Sequence, residues 1–554
     1  MNIKSAIEKI TLEAESLGDL ATKTIVTQLL NLIEMLANEN KALREENQRL
    51  RDENNRLKGE HGKPSIRRQA QSQKDISSEK ERKLKNKQKQ KQQKLKKKNK
   101  LTINRTELCQ VEPSLLPADA VFKGYQSLVV QDIAIKLDNV EFKKELYYSP
   151  SLKKTWVAPT PVGYRGEFGP TIKALILDMH HNAKTTESAI HRFLQNHGVL
   201  ISMATISRII TDGHEPFHQE KKAIVEAGIS SSIYQQMDDT GARVNGKNGY
   251  THILCNEFYT AYFTRPHKDR LTVIELLTQG ELTFVFNDAA YALMEQLNLS
   301  EKSITLLKQQ AANTALSRME VDALLNTLFP DPLTHKTTRR IIVEASAIAA
   351  YQQLPHAVQL LLTDDAPQFK QITKCLALCW VHDARHYKKL EPIVPAHRAL
   401  LDNVLEQYWI YYHKLLAFKQ SPTSAQAKYL ADEFDALFST KTGYDLLDER
   451  IQRTELKKDA LLQVLRYPAL PLHNNASELG ARTQARYRDI SLHTINEKGT
   501  QAKDTFMTLV ETAKKLAVNT YHYFYDRISQ QYLMPSLASL ILSRSADNVI
   551  YNSA

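Results

Sequence analysis

The 554-residue chain has only four cysteines, at 109, 255, 375 and 379. They are too few and too scattered for a disulfide framework, which argues against a disulfide-stapled secreted fold. There is no Cys-x-x-Cys pair. Cys375 and Cys379 have no second pair to complete a structural zinc site. Long apolar runs are also missing: none approaches the ~20 residues that span a bilayer, and the first residues lack a signal-peptide apolar stretch. The expectation is a cytoplasmic protein. What is present fits that: 42% hydrophobic and 25% charged residues are the proportions of a globular protein, and the length suggests three or four structural units.

Positive charge is concentrated in one place. Residues 61–100 hold 16 Lys/Arg against 3 Asp/Glu, an excess larger than the +12 of the whole chain, so the remainder is close to neutral. This Lys/Gln-rich segment has almost no apolar side chains and reads as a disordered linker. Such an arm suits counterion-releasing contact with nucleic-acid phosphates; the plainer reading is a solubilising tether.

Before it, residues 22–58 repeat every seven. Leu29, Leu36, Leu43, Leu50 and Leu57 take one position, and Val26, Ile33, Asn40, Asn47 and Asn54 another. Leu at d with Asn at a favours a parallel two-stranded coiled coil. Glu39, Glu46 and Glu53 at g each precede Arg44, Arg51 or Lys58 at e by five positions, the spacing of interchain pairs. Residues 1–60 are therefore expected to dimerise the chain.

Residues 101–230 are expected to form a DNA-binding region. Its first part, rich in proline, suggests short strands and loops. Over 185–211 the pattern predicts a helix-turn-helix: Ala189, Ile190, Phe193 and Leu194 on one face, Gly198 at the turn, Ser202 as a cap, and Ile206, Ile209 and Ile210 inward. Ser207 and Arg208 would then face DNA, although many such helix pairs bind nothing.

From 231 to 500 the expectation is an α/β catalytic domain. Ile233–Asp238, Tyr250–Cys255 and Phe258–Arg265 predict a meander, with Asn245-Gly246 and Asn248-Gly249 as turns. A helix should follow from about 268 to 277. Ala357–Asp364 predicts a buried strand ending on an acid, and Cys375–Val381 the next. Segments 280–355 and 384–465 read as helical insertions, with 501–554 a helical C-terminal region and a helix over about 500–529.

Three acids stand where phosphodiester chemistry needs them. Asp238 lies late in a strand, Asp364 ends one, and Glu478 is near the start of a helix opened by Asn474-Asn475. If the first and fourth strands are neighbours, the two aspartates are adjacent, and a helix packed on the sheet brings in the glutamate. Three carboxylates and phosphate oxygens suffice for two Mg²⁺ ions, which prefer hard oxygen ligands. Any one such acid alone is more often a solvated loop residue.

Four ordered motifs then resemble the transposases of the insertion sequence sixty-six family. Asp238-Asp239-Thr240 is similar to that family's Asp-Glu-Thr, and Thr363-Asp364-Asp365 to its Thr-Asp-Gly. Cys379-Trp380-Val381-His382-Asp383-Ala384-Arg385 is similar to Cys-Trp-x-His-x-Arg-Arg. His473-Asn474-Asn475-Ala476-Ser477-Glu478-Leu479-Gly480-Ala481-Arg482 is similar to Asp-Asn-Asn-Ala-x-Glu-Arg-x-x-Arg. The resemblance implies a ribonuclease-H-like mixed sheet with large helical insertions. It implies a DDE transposase in which Asp238, Asp364 and Glu478 bind two Mg²⁺ or Mn²⁺ ions. Double-stranded DNA and small accessory transposition proteins would be partners, and the protein would be nucleoid-associated. Arg208, His382, Arg385, Arg482, Arg486 and Arg488 are candidate DNA contacts. Arg482 could equally form a helical ion pair with Glu478, His382 could be a packed structural histidine, and Trp380 reads as core.

The family's zinc module is missing, Asp365 stands for glycine and Leu479 for arginine. Asp239 and Asp365 remain alternative ligands. A catalytically silent DNA-binding descendant, or a nuclease on the same fold, are the competing functions.

Overall fold

The computed structural model describes residues 20–57, 102–117 and 120–552. The basic segment 61–100 lies outside the described residues. Those described fall into two compact units, one drawn from 20–57, 144–192 and 201–552, the other from 102–143 and 193–200.

In the second unit, the described residues of 102–117 and 120–143 contain one 3-10 turn, Pro113–Leu115, in otherwise irregular backbone. The first unit opens with one long helix, α1 (Leu20–Leu57), and then a two-stranded hairpin, Leu146–Ser149 with Lys154–Val157. The two helices of the expected helix-turn-helix are α2 (Glu187–Asn196) and α3 (Met203–Thr211). Ser202 caps α3 by accepting from the Thr205 N–H at 3.2 Å, Ile206 and Ile210 are buried, and Arg208 is exposed. Helix α4 (Glu215–Ser230) leads into the central sheet.

That sheet has five strands, numbered here β1 (Tyr234–Val244), β2 (Lys247–Cys255), β3 (Thr260–Arg265), β4 (Leu360–Thr363) and β5 (Cys375–Leu378). Their spatial order is β3-β2-β1-β4-β5; the first three are antiparallel and β1, β4 and β5 run parallel. The expected adjacency of first and fourth strands is therefore present. Asn245 (φ +49°) and Gly246 (φ +73°) close the β1–β2 hairpin. Two successive positive φ values match the right-handed twist of the strands, a conformation that Asn-Gly adopts readily. Asn248 and Gly249, expected as a second turn, instead pair within β2 with Arg243 and Ala242. The reversal is already complete two residues earlier.

After β3 comes α5 (Arg270–Thr278), capped by the Asp269 carboxylate. The segment 280–355 is helical as expected and ends in α6 (Lys336–Gln352), which is buried along most of its length. It also holds a small strand pair, Phe284–Phe286 with Thr314–Leu316, that the sequence reading omitted. Strand β5 stops at Leu378 rather than Val381, and α7 (Trp380–Tyr387) follows at once. The cause is Trp380. Its indole N–H donates to Leu461 O at 2.9 Å and its ring lies against Tyr408 and Tyr411, so the chain turns into the insertion's own aromatic core.

That insertion is built from α8 (Pro395–Phe418), a helix at Ser424–Phe438 and α9 (Asp445–Glu455). The chain returns to the sheet as α10 (Asn475–Ile490), then α11 (Glu497–Lys515). The single helix expected over 500–529 is broken: Ala517 adopts φ +50°, and a separate helix runs Thr520–Ile528.

Helix α11 covers the edge of the sheet. The N–H groups of Thr260, Tyr262 and Thr264, alternate residues of β3, donate to Thr512 Oγ1 (3.3 Å), Thr508 Oγ1 (3.1 Å) and Asp504 Oδ2 (2.5 Å). Acceptors four apart on a helix rise about 6 Å, close to the two-residue repeat of a strand. An edge that would otherwise offer unpaired donors is thereby closed. The domain boundary expected after residue 500 falls within this helix.

Candidate active site

Asp238 sits in β1 opposite Ile253 of β2. On its other side β1 pairs with β4 in the register Gln236↔Leu362. Asp364 follows directly on the last residue of β4, two positions past this pairing, and its charge acts on Asp238. Burial, followed by the negative charges of Asp364, Asp239 and Glu478, raises the Asp238 carboxyl to about 7, despite a hydrogen bond from the Asp239 N–H at 2.8 Å. The three acids therefore lie within one another's fields.

Glu478 reaches this point because α10 lies unusually close to the sheet. A Cβ at Gly480 would stand 2.7 Å from Ile253 Cγ2, and Ile253 is the cross-strand partner of Asp238. No other residue permits that approach without displacing a fully buried side chain. Asn474, just before α10 and fully buried, ties the site together. Its side-chain amide donates to Met237 O at 3.0 Å, its backbone N–H lies 3.3 Å from Cys379 Sγ, and its backbone oxygen accepts from Glu478 N–H at 3.1 Å. The expected capping role is not what this side chain does: its Oδ1 accepts from Ser477 Oγ instead.

The two neighbouring acids are engaged elsewhere. Asp239 accepts from Gln368 Nε2 at 2.6 Å and faces Lys268 Nζ at 3.3 Å. Asp365 pairs with Lys457 at 2.7 Å and Lys370 at 3.0 Å. Burial works to raise the Asp365 carboxyl, but the two lysines outweigh it and hold it below the usual range. Asp238 and Asp364 are held by main-chain N–H groups, those of Asp239 and Ala366. The lysine partners lie up to 92 positions away in sequence, which is why the sequence left the choice open.

Glu478 faces two arginines and a histidine. Arg385 Nη2 is 3.3 Å away, His382 Nε2 3.5 Å and Arg482 Nη2 3.7 Å, and Arg385 also lies 2.9 Å from His382. Yet the buried Glu478 Oε1 makes no hydrogen bond. Burial, then the Arg385 charge, lowers the His382 imidazole below its ordinary value. Among the described residues no three His, Cys, Asp or Glu side chains converge tightly enough to hold a metal ion as they stand. Like charges repel, and Arg385, His382 and Arg482 draw Glu478 aside. The donor set nonetheless fits a hard divalent cation: three carboxylates, one of them raised by burial and then by its neighbours' charge, and a buried carboxylate oxygen without a hydrogen bond.

Arg482 and Arg486 follow Glu478 at four-residue steps on the exposed side of α10; Arg488 lies on another face of that helix, near Gly241 of β1. Arg208 is on the exposed side of α3, apart from the acids. Trp380 is core, as expected.

The site and sheet thus describe an α/β protein with clustered acids at the open end of adjacent parallel strands. Residues 165–311 and 346–502 match the family described as Transposase IS66 family, a span that includes all three acids. The chain is also 30% identical over 327 residues to "Uncharacterized protein y4jO" of Sinorhizobium fredii (strain NBRC 101917 / NGR234). That stretch is 58% of this chain and all of the relative. The chain belongs to the IS66 family of transposases.

Proposed function

We propose that this transposase is a metal-dependent strand-transfer enzyme on a ribonuclease-H-like core. The observation that carries the reading is that Asp238 in β1 and Asp364 at the end of the neighbouring parallel strand β4 lie close enough, with Glu478 on α10 brought in by Gly480 and Asn474, for the charges of the other two to act on Asp238. The strand order, antiparallel then parallel about β1, supports the fold assignment.

Asp238, Asp364 and Glu478 would hold two Mg²⁺ (or Mn²⁺) ions. Bound there, such ions supply charge neutralisation at the attacking and leaving oxygens of an in-line displacement. The chain's own residues position the DNA. Arg385, hydrogen-bonded and ion-paired to Glu478, and Arg482, ion-paired to it, would turn to backbone phosphates once that carboxylate is otherwise engaged. Arg486 extends the same basic face, Arg488 adds a cation on the neighbouring face of α10 beside β1, and Arg208 on α3 and the 61–100 arm bind further along the duplex.

Water first attacks a phosphorus at the element end, leaving a 5′-phosphate on the flanking strand and freeing a 3′-hydroxyl. That hydroxyl then attacks a target phosphorus and a target 3′-hydroxyl leaves, so the second step makes one phosphodiester for the one it breaks. A dimer formed through α1 would hold the two element ends together.

The test uses the full chain, Mg²⁺ and DNA carrying the inverted repeats that flank its gene. Nicking and joining are expected, with Asp238→Asn, Asp364→Asn and Glu478→Gln each losing roughly two to three orders of magnitude or more in rate while retaining DNA binding. Cutting without joining would make it a nuclease. Binding without cutting, the outcome favoured by the ion-paired Glu478, would make it a silent DNA-binding descendant.

A further inference from the structure

The long helix α1 is anchored to the insertion by its first half. Leu30, Asn31 and Glu34 are buried, with Val26 and Ile33 half-buried against Val394 and Ala396. The Glu34 carboxylate accepts from the N–H groups of Ile393 (2.8 Å) and Val394 (3.2 Å), at the entrance to α8, and lies 3.4 Å from His397 Nδ1. His397 in turn stacks on Tyr444, ring centroids 4.2 Å apart. Asn31 donates to Gly443 O at 3.0 Å, and Lys41 reaches Glu391 at 2.5 Å.

This contact divides the heptad register. In a two-stranded coil, a and d residues enter the seam together. Here the a residues Val26 and Ile33 turn toward the insertion, while the d residues Leu29 and Leu36, and Ile25 and Leu32 beside them, are about half exposed. A second helix therefore cannot take both positions over this stretch. Beyond residue 38 no apolar residue of the helix packs on the insertion, Lys41 still reaches Glu391 from the side of the helix away from the seam, and Leu43 (56% exposed) and Leu50 (53%) face solvent with Asn40 and Asn47.

We infer that α1 has two parts with different partners: residues 26–38 clasp the chain's own insertion, and a second copy of the chain pairs only from Asn40 onward. This deepens the reading of the chain as a dimer and rests on it, but not on the catalytic chemistry. The occupant is set by charge and register. Glu39 faces Arg44 of a parallel copy, Glu46 faces Arg51, and paired Asn residues at a fix the alignment. The two helices diverge toward their N-termini, where each lies on its own insertion. Eighteen residues are short for an independent coiled coil, so the clasp also pre-forms the helix that pairs.

Single cysteines test this in the full chain with Cys109→Ser, under mild oxidation and read on non-reducing gels. Leu43→Cys and Leu50→Cys should cross-link two copies nearly completely. Val26→Cys and Ile33→Cys should not, and neither substitution adds bulk at the clasp. Equal cross-linking at 33 and 50 would mean a continuous zipper and overturn the division. Failure at 43 and 50, or a monomer by sedimentation, would overturn the pairing. None of these readouts needs DNA or metal, so their failure is separable from failure of strand transfer.

Discussion

Asp238 carries an electrostatic load that serves no purpose in the metal-free fold. Its carboxyl is raised to about 7 by burial and then by the acids around it. A carboxyl raised in the folded state favours folding at low pH and costs stability as pH climbs from about 4 to 7, where the folded form must give up a proton that the unfolded chain has already lost. Asp238→Asn is therefore expected to stabilise the metal-free protein at pH 8 by about 1 kcal/mol or more, while abolishing strand cleavage. Denaturant melts in chelator, beside a nicking assay, check both halves; an unchanged or lowered stability would mean the carboxylates do not repel one another. Similar reasoning separates Asp238 from Asp239 and Asp364 from Asp365. Both neighbours have lysines, and neither lysine partnership was visible in the local sequence.

Two elements owe their placement to single residues. Helix α10 lies against β2 because position 480 has no side chain. Gly480→Ala should cost roughly 1–3 kcal/mol through overpacking and reduce activity by shifting Glu478. Adding Ile253→Ala, which removes the clashing methyl, should restore activity more than stability. If the double variant is no more active than Gly480→Ala, the close approach does not position Glu478.

Helix α1 is fixed by Glu34. Glu34→Ala would leave the Ile393 and Val394 N–H groups without their acceptor, an expected loss of about 1–3 kcal/mol. Thermal melts that show no change would remove the clasp. The heptads made the helix and its polar stripe legible beforehand. The clasp was not, because Val394 and Gly443 are hundreds of residues distant and nothing in 22–58 encodes them. The early end of β5 is similar: an apolar run looked like continuing strand until Trp380 found a separate core.

Across the whole molecule, buried histidines set the response to acid. His180 and His214 are lowered to about 4 chiefly by burial, and His181, fully buried and stacked on Phe506, is also lowered well below its ordinary value by burial and then by His180. The unfolded chain titrates near 6.5, so between 6.5 and 4 it binds more protons than the folded one. Stability present above pH 6.5 is lost as pH falls toward 4, by roughly 3 kcal/mol for His180 or His214. This outweighs the opposite contribution of the single Asp238. Unfolding free energy at pH 7.5 should exceed that at pH 5, and His214→Gln should flatten the slope; a flat wild-type profile would mean these imidazoles are protonated in the fold.

The sequence by itself determined what local pattern and spacing can carry: the heptad helix, the Asn-Gly hairpin, the capped helix pair, the strand ends bearing acids, and the ordered motifs of the family. Those depend on residues near one another in the chain. Tertiary structure alone decided which acid of each Asp-Asp pair is tied to lysine, that α11 closes the β3 edge, and that Asn474 braces three elements. It also gave half of α1 to the insertion. Most such outcomes follow from hydrogen bonds and charges between segments far apart in the chain, whose pairing no local pattern specifies.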